Sequence, residues 1–215
     1  MFRDEGAHVI ITDVLEDEGG KTAGTLGVEF LSHDVSSAEA WETVVSDVIS
    51  RHGRIDVLVN NAGILRGARL VNTSDDIWDQ TVAINQTGVF YGMRAVAPQM
   101  IEQDSGSIVN ISSVAGLEAT FASMAYGATK WAVRGMSKIA ALELGRHNVR
   151  VNSIHPGLIN TDMTSEFDKD RMVRAIPLGR EADASEVAAV ALFLASDDSS
   201  YCSGQEFTVD GGMHR

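Results

Sequence analysis

Short apolar runs of β-type residues at 8–12, 28–31, 55–60, 107–111, 149–154 and 206–209 alternate with amphipathic helical stretches along the whole chain. Runs such as Ile55-Asp56-Val57-Leu58-Val59-Asn60 are nearly continuous in apolar character. A strand of that kind belongs in a parallel sheet covered on both faces. Helices are predicted over about 36–52, 75–103, 124–146 and 183–196. Ser74, three residues before Ile77, caps the second of these, with Asp75 and Asp76 at its positive end. There is no linker, repeat or low-complexity stretch, so residues 1–215 read as one domain. The expected fold is α/β, a doubly wound parallel sheet. Residues 157–180 are the least regular part.

Chemistry concentrates between Ser112 and Lys130, in S-S-V-A-G-(x)9-Y-G-A-T-K. The apolar run Ile108-Val109-Asn110-Ile111 reads as a strand ending at the serines. Tyr126 and Lys130 are four apart in an Ala-rich helical stretch and share one face. A phenol with a pKa of about 10 is a poor acid or base at neutral pH. A fixed ammonium beside it is expected to pull that pKa down and make the phenol a usable proton shuttle. A serine hydroxyl at the neighbouring strand end can hold a carbonyl or hydroxyl oxygen. The arrangement suits oxidation of an alcohol or reduction of a ketone. A Tyr-x3-Lys spacing alone is weak, and a surface pair is the ordinary explanation. Its company lifts it.

That company is N-N-A-G at 60–63, N-Q-T-G-V-F at 85–90 and H-P-G-L-I-N-T at 155–161. With these motifs the chain resembles the short-chain dehydrogenase/reductase family, most of all its bacterial hydroxysteroid dehydrogenase branch. The match runs in order from about residue 3 to Asp210-Gly211-Gly212. The resemblance implies a Rossmann-like fold and hydride transfer between NAD and a secondary alcohol or ketone. It makes Tyr126 the acid/base and Lys130 the residue that tunes it and holds the nicotinamide ribose. Ser113, thirteen residues before Tyr126, positions the substrate oxygen; that spacing favours it over Ser112. Asn85 steadies a water-mediated proton path. Residues 157–180 form a substrate lid, and helices 75–103 and 124–146 a tetramer interface.

The family's glycine-rich turn, T-G-x3-G-x-G, does not occur in these residues. Met1 to His8 resemble the tail of the family's first helix, running into its second strand at 8–13. The first strand, its turn and most of the first helix are therefore expected upstream, roughly thirty residues in all. In the order 3-2-1-4-5-6 that strand is central. Without it a gap of about 9–10 Å, two strand spacings, is expected between residues 8–13 and 55–60. The glycines at 20–27 are no substitute: they are spaced four and then three, where the family needs four and then two. They read as the end of a surface helix. Taken as written, the chain is expected to bind NAD weakly or not at all.

Asp13, ending a strand, can accept both adenosine-ribose hydroxyls and repels a 2′-phosphate, which favours NAD over NADP; an N-cap is the alternative role. By resemblance Asp34 and Val35 flank the adenine. Asn60, Ala62 and Gly63 line the cofactor floor, and Ile159 and Thr161 hold the nicotinamide amide. His155 reads as a backbone anchor. The other histidines show no metal spacing and no Cys/His cluster exists, so no catalytic metal is expected.

Leu158, Met163 and Phe167 in the lid, with Phe121 and Met124, suit a bulky apolar alcohol or ketone such as a hydroxysteroid. A 3-oxoacyl thioester or small sugar alcohol remains open, as does a non-catalytic protein that associates with complete paralogues. The net charge of −13 argues against nucleic acid or anionic membrane as partners. A single cysteine, Cys202, excludes an internal disulfide and suits a reducing compartment, with cytoplasm the default. No signal-peptide layout or membrane-length apolar segment is present.

Overall fold

The computed structural model describes residues 1–165 and 167–214. Its strands are β1 (Ile10–Asp13), β2 (Glu29–Ser32), β3 (Val57–Asn60), β4 (Gly106–Ile111), β5 (Val149–Pro156), β6 (Ile159–Asn160), β7 (Ala182–Asp183) and β8 (Glu206–Val209). The main helices are α1 (Glu16–Leu26), α2 (Ala38–His52), α3 (Asp75–Val82), α4 (Gly88–Gln103), α5 (Met124–Leu144), α6 (Lys169–Val173) and α7 (Ala184–Ala195). Every ladder between these strands is parallel.

Local chemistry explains where the helices start and stop. Ser37 Oγ accepts from Ala40 N at 3.2 Å to open α2, and Gly53 ends it in the left-handed conformation that glycine adopts without strain. Ser74 Oγ accepts from Ile77 N at 3.3 Å to open α3, as its sequence position predicts. Gly27 closes α1 in the same left-handed way, so residues 20–27 are indeed a helix end and its turn. The single helix expected over 75–103 is interrupted by a π turn at Ala83–Thr87.

Helices lie on both faces of the sheet. On one face Trp41, Val45, Val89, Met93, Val96, Met100 and Val133 pack against Ile108, Val149 and Val151. On the other Ala191 and Leu194 of α7 meet Val109 and Ile154. Strands β4 and β5 are almost wholly buried between these layers.

The sheet is divided. One part is the pair β1-β2; the other runs β3-β4-β5-β8, and no ladder joins β1 to β3 among the described residues. The strands beside the division are poorly covered: β1 and β2 have no buried residue, and Val59 in the middle of β3 is 37% exposed. The irregular stretch 157–180 contains β6 and α6, and β6 is tied at its base to β7.

Candidate active site

Parallel strands all end on one side of a sheet, so their carboxyl ends collect the loops that can carry function. Asp13 ends β1, Asp34 and Val35 follow β2, Asn60 ends β3, and Ala62 and Gly63 follow it. Ser113 follows β4, and Ile159 and Thr161 follow β5. Every residue singled out from the sequence on a strand or strand end therefore lies at a carboxyl end, while Asn85, Tyr126 and Lys130 come from the helices alongside.

Tyr126 and Lys130 occupy one face of α5, and both are buried. The Lys130 ammonium lies 5.5 Å from the centre of the Tyr126 ring and donates to the Ile111 carbonyl at 2.9 Å. Burial works against the expected fall in the Tyr126 pKa. Burial raises the Tyr126 pKa above its usual value, opposed only by a hydrogen bond with Ser113. Burial also lowers Lys130 to about 8. Desolvation acts on both groups against their charged forms, and the ammonium is aimed at the Ile111 carbonyl. At neutral pH the phenol holds its proton.

Ser113 begins a short turn at Val114–Gly116, where its Oγ accepts from Ala115 N at 3.1 Å. Its carbonyl is fixed by His155, whose Nδ1 lies 3.1 Å away and whose Nε2 pairs with Ser153 Oγ at 2.9 Å. His155 is fully buried, and burial lowers its pKa, so it serves as a neutral anchor. Ser112 Oγ donates to the Lys130 carbonyl at 2.9 Å, which ties the strand end to α5.

Asn85 sits in the π turn, fully buried. Its Oδ1 accepts from Ile64 N and its Nδ2 donates to the Ile64 carbonyl, both at 2.8 Å. The loop after β3 is thereby clamped against the π turn, and Nδ2 also reaches Thr129 Oγ1 on α5 at 3.5 Å. π turns recur at functional sites because the extra residue re-aims a side chain. Gly63 lies directly over this cluster: a Cβ there would stand 3.3 Å from Asn85 Oδ1 and 3.6 Å from Lys130 Nζ. Glycine at this position lets the loop backbone pass close to Asn85 and the lysine.

Other positions have local tasks. Asp13 Oδ1 accepts from Leu15 N at 3.0 Å, a turn contact that leaves the second carboxylate oxygen for a ligand. Asp34 Oδ1 accepts from the Ser36 amide at 2.9 Å and hydroxyl at 2.7 Å, and these bonds lower its pKa. Val35 packs against Gly88, and its carbonyl accepts from Trp41 Nε1 at 3.0 Å. Asn60 Nδ2 donates to Asn110 Oδ1 at 2.8 Å, and Asn110 continues to Ser137 Oγ at 2.9 Å. That buried ladder was not anticipated: Asn110 lies inside an apolar run, and nothing in the sequence shows that it faces Asn60. Ile159 is buried in β6, and Thr161 caps the following turn. Leu158 is buried and Phe167 half-buried, whereas Phe121, Met124 and Met163 are exposed.

A parallel α/β sheet with a buried Tyr-x3-Lys helix beside a strand-end serine defines a nicotinamide-dependent oxidoreductase. Comparison with known proteins gives the family. A family model described as Enoyl-(Acyl carrier protein) reductase matches residues 1–214. The chain is 45% identical over 210 residues to a 3-alpha-(or 20-beta)-hydroxysteroid dehydrogenase of Mycobacterium tuberculosis, covering 97% of this chain and 80% of that one. It is 43% identical over 218 residues to trans-4-hydroxycyclohexanecarboxylate dehydrogenase of Sinomonas cyclohexanicum, covering 96% and 83%. A crystal structure of a gluconate 5-dehydrogenase from Burkholderia cenocepacia, in complex with NADP and tartrate, superposes with a TM-score of 0.93 at 32% identity, covering 98% of this chain and 86% of that one. The chain belongs to the short-chain dehydrogenase/reductase family.

Proposed function

We propose that the protein transfers a hydride between NAD(H) and a secondary alcohol or ketone of bulky apolar character, such as a hydroxysteroid. The observation that carries the reading is the buried pair Tyr126–Lys130 beside Ser113, with the backbone at Gly63 brought close to the lysine. The nicotinamide supplies the hydride acceptor or donor. Tyr126 gives a proton to the carbonyl oxygen in reduction and receives it from the hydroxyl in oxidation. Ser113 holds the reacting oxygen, and its own carbonyl is steadied by His155. Lys130 would hold the ribose, and Asn85 fixes the loop after β3 through the Ile64 backbone.

Asp13 supports NAD over NADP, because a carboxylate at this strand end repels a 2′-phosphate. The exposed Phe121, Met124 and Met163 support an apolar substrate, as does the likeness to a hydroxysteroid dehydrogenase. The 42% likeness to a 3-oxoacyl-[acyl-carrier-protein] reductase of Thermotoga maritima keeps an acyl thioester in the panel of substrates to test. Residues 157–180 act as the lid. Phe90 on α4, and Trp131, Ile139 and Leu142 on α5, are exposed apolar side chains that support assembly of copies through these helices, a tetramer by the family's pattern. No described helix is long and apolar enough to cross a membrane. With one cysteine, a reducing cytoplasm is the compartment we assign.

The activity is proposed for a chain whose slot between β1 and β3 is filled, since no described residue offers the glycine turn that would hold a pyrophosphate. The exposed apolar side chains of α4 and α5 also favour a second reading, a non-catalytic partner of related chains. Thermal unfolding with and without NADH separates the two: a clear rise supports the working site, and oligomers without any rise support the partner role. In a chain supplied with the family's strand and glycine turn, Tyr126→Phe should remove most turnover and leave NADH binding intact. Near-normal turnover overturns the role of Tyr126.

A further inference from the structure

At the opposite end of the sheet from the active site, the amino ends of β1 and β2 meet the last turn of α2. Three side chains far apart in sequence converge there: His8, Glu29 and His52. Their ligand atoms all lie within 4.8 Å of one another. Both imidazole Nε2 atoms face the same carboxylate oxygen, Glu29 Oε1, that of His8 at 2.5 Å and that of His52 at 3.3 Å. The two rings stand 4.3 Å apart between centres.

The carboxylate is divided between two tasks. Its other oxygen, Oε2, is bound by the Arg51 guanidinium, which is itself held by Asp47. Glu29 is thereby fixed in place with Oε1 turned to the histidines. The His52 Nε2 is buried and makes no hydrogen bond, although it points into this cluster. A buried ring nitrogen without a partner is a standing cost unless something else takes its lone pair.

We propose that His8, Glu29 and His52 bind a divalent transition metal of the zinc type. Two imidazoles and one carboxylate are a donor set that zinc accepts, with the fourth tetrahedral position left to water. Imidazole donors select zinc, cobalt, nickel and copper over magnesium and calcium. A tetrahedral ion would need Oε1 and the His8 nitrogen to move apart, and His8 is the most exposed of the three and free to yield. The sequence shows no metal spacing here because each ligand comes from a different element. The bound ion would be structural. It would pin the β1-β2 pair, which has no ladder to the rest of the sheet, to the end of α2. This site stands apart from the catalytic residues and does not depend on the proposed reaction.

The test uses the full chain freed of metal with a chelator and then titrated with Zn²⁺ alone, with Mg²⁺ as control and Co²⁺ as a spectroscopic probe. Zn²⁺ should bind one per chain and raise the melting temperature, Mg²⁺ should do neither, and Co²⁺ should show the visible bands of a low-coordinate imidazole site. His8→Ala, at an exposed position that leaves the core untouched, should weaken Zn²⁺ binding roughly tenfold or more and abolish the thermal shift. His52→Gln should do the same. Absence of stoichiometric Zn²⁺ binding to the wild type overturns the proposal, and so does unchanged affinity in His8→Ala.

Discussion

Lys130 is the residue whose environment departs most from its chemistry. A lysine buried to this degree, with one backbone carbonyl at 2.9 Å, keeps its charge poorly. Its pKa falls from 10.5 to about 8, whereas in the unfolded chain it returns to the ordinary value. Between those two values the unfolded state binds more protons than the folded one, so stability rises with pH across that window. The size of the effect is on the order of 3 kcal/mol. Equilibrium unfolding followed by circular dichroism from pH 8 to 10 should show this rise in the wild type and lose it in Lys130→Met. An identical slope in both would show that another group is responsible. That Ser113, Tyr126 and Lys130 come together was legible in the motif alone. The direction of the tyrosine shift was not, because it depends on burial and on where the lysine nitrogen points.

At the level of elements, small residues decide how closely helices approach strands. Gly92 of α4 lies over Asn60 at the end of β3: a Cβ there would stand 2.4 Å from Asn60 Oδ1 and 2.8 Å from the Trp41 ring. Gly92→Ala sets two effects against each other. Helix propensity favours alanine by about 1 kcal/mol. Overpacking against a hydrogen-bonded amide and an indole costs about 1–3 kcal/mol, because neither neighbour can move without breaking its own contacts. The clash is expected to win, so chemical denaturation should give a lower midpoint for Gly92→Ala with an unchanged m-value. A midpoint at or above the wild type would mean that the Asn60 ladder yields freely. Strand and helix existence was readable from apolar periodicity, and the Ser74 cap from its spacing. The π turn at Ala83–Thr87 was hidden, since its residues continue a helical pattern and only the clamp from Asn85 to Ile64 marks the extra residue.

Among the described residues the strands form a four-stranded sheet packed on both faces, the β1-β2 pair beside it and the small β6-β7 pair. A lone pair of strands is marginal in water, whereas three or more strands with covered faces hold together. Native-state hydrogen exchange should therefore release the amides of β1 and β2 well before those of β4 and β5. Equal protection across both sheets would show that the pair is secured by contacts other than ladders. Filling the slot between β1 and β3, or binding metal at His8, Glu29 and His52, should slow exchange in β1 and β2 selectively. By itself the sequence determined the α/β class, the strand order along the chain and the grouping of Ser113, Tyr126 and Lys130, because periodicity and short motifs are local properties. Only the tertiary structure decided that burial raises the Tyr126 pKa, that Asn60 is committed to a buried amide ladder, and that two histidines share one carboxylate oxygen. Each of these arises between residues far apart in the chain, where folding alone sets the distance and the dielectric.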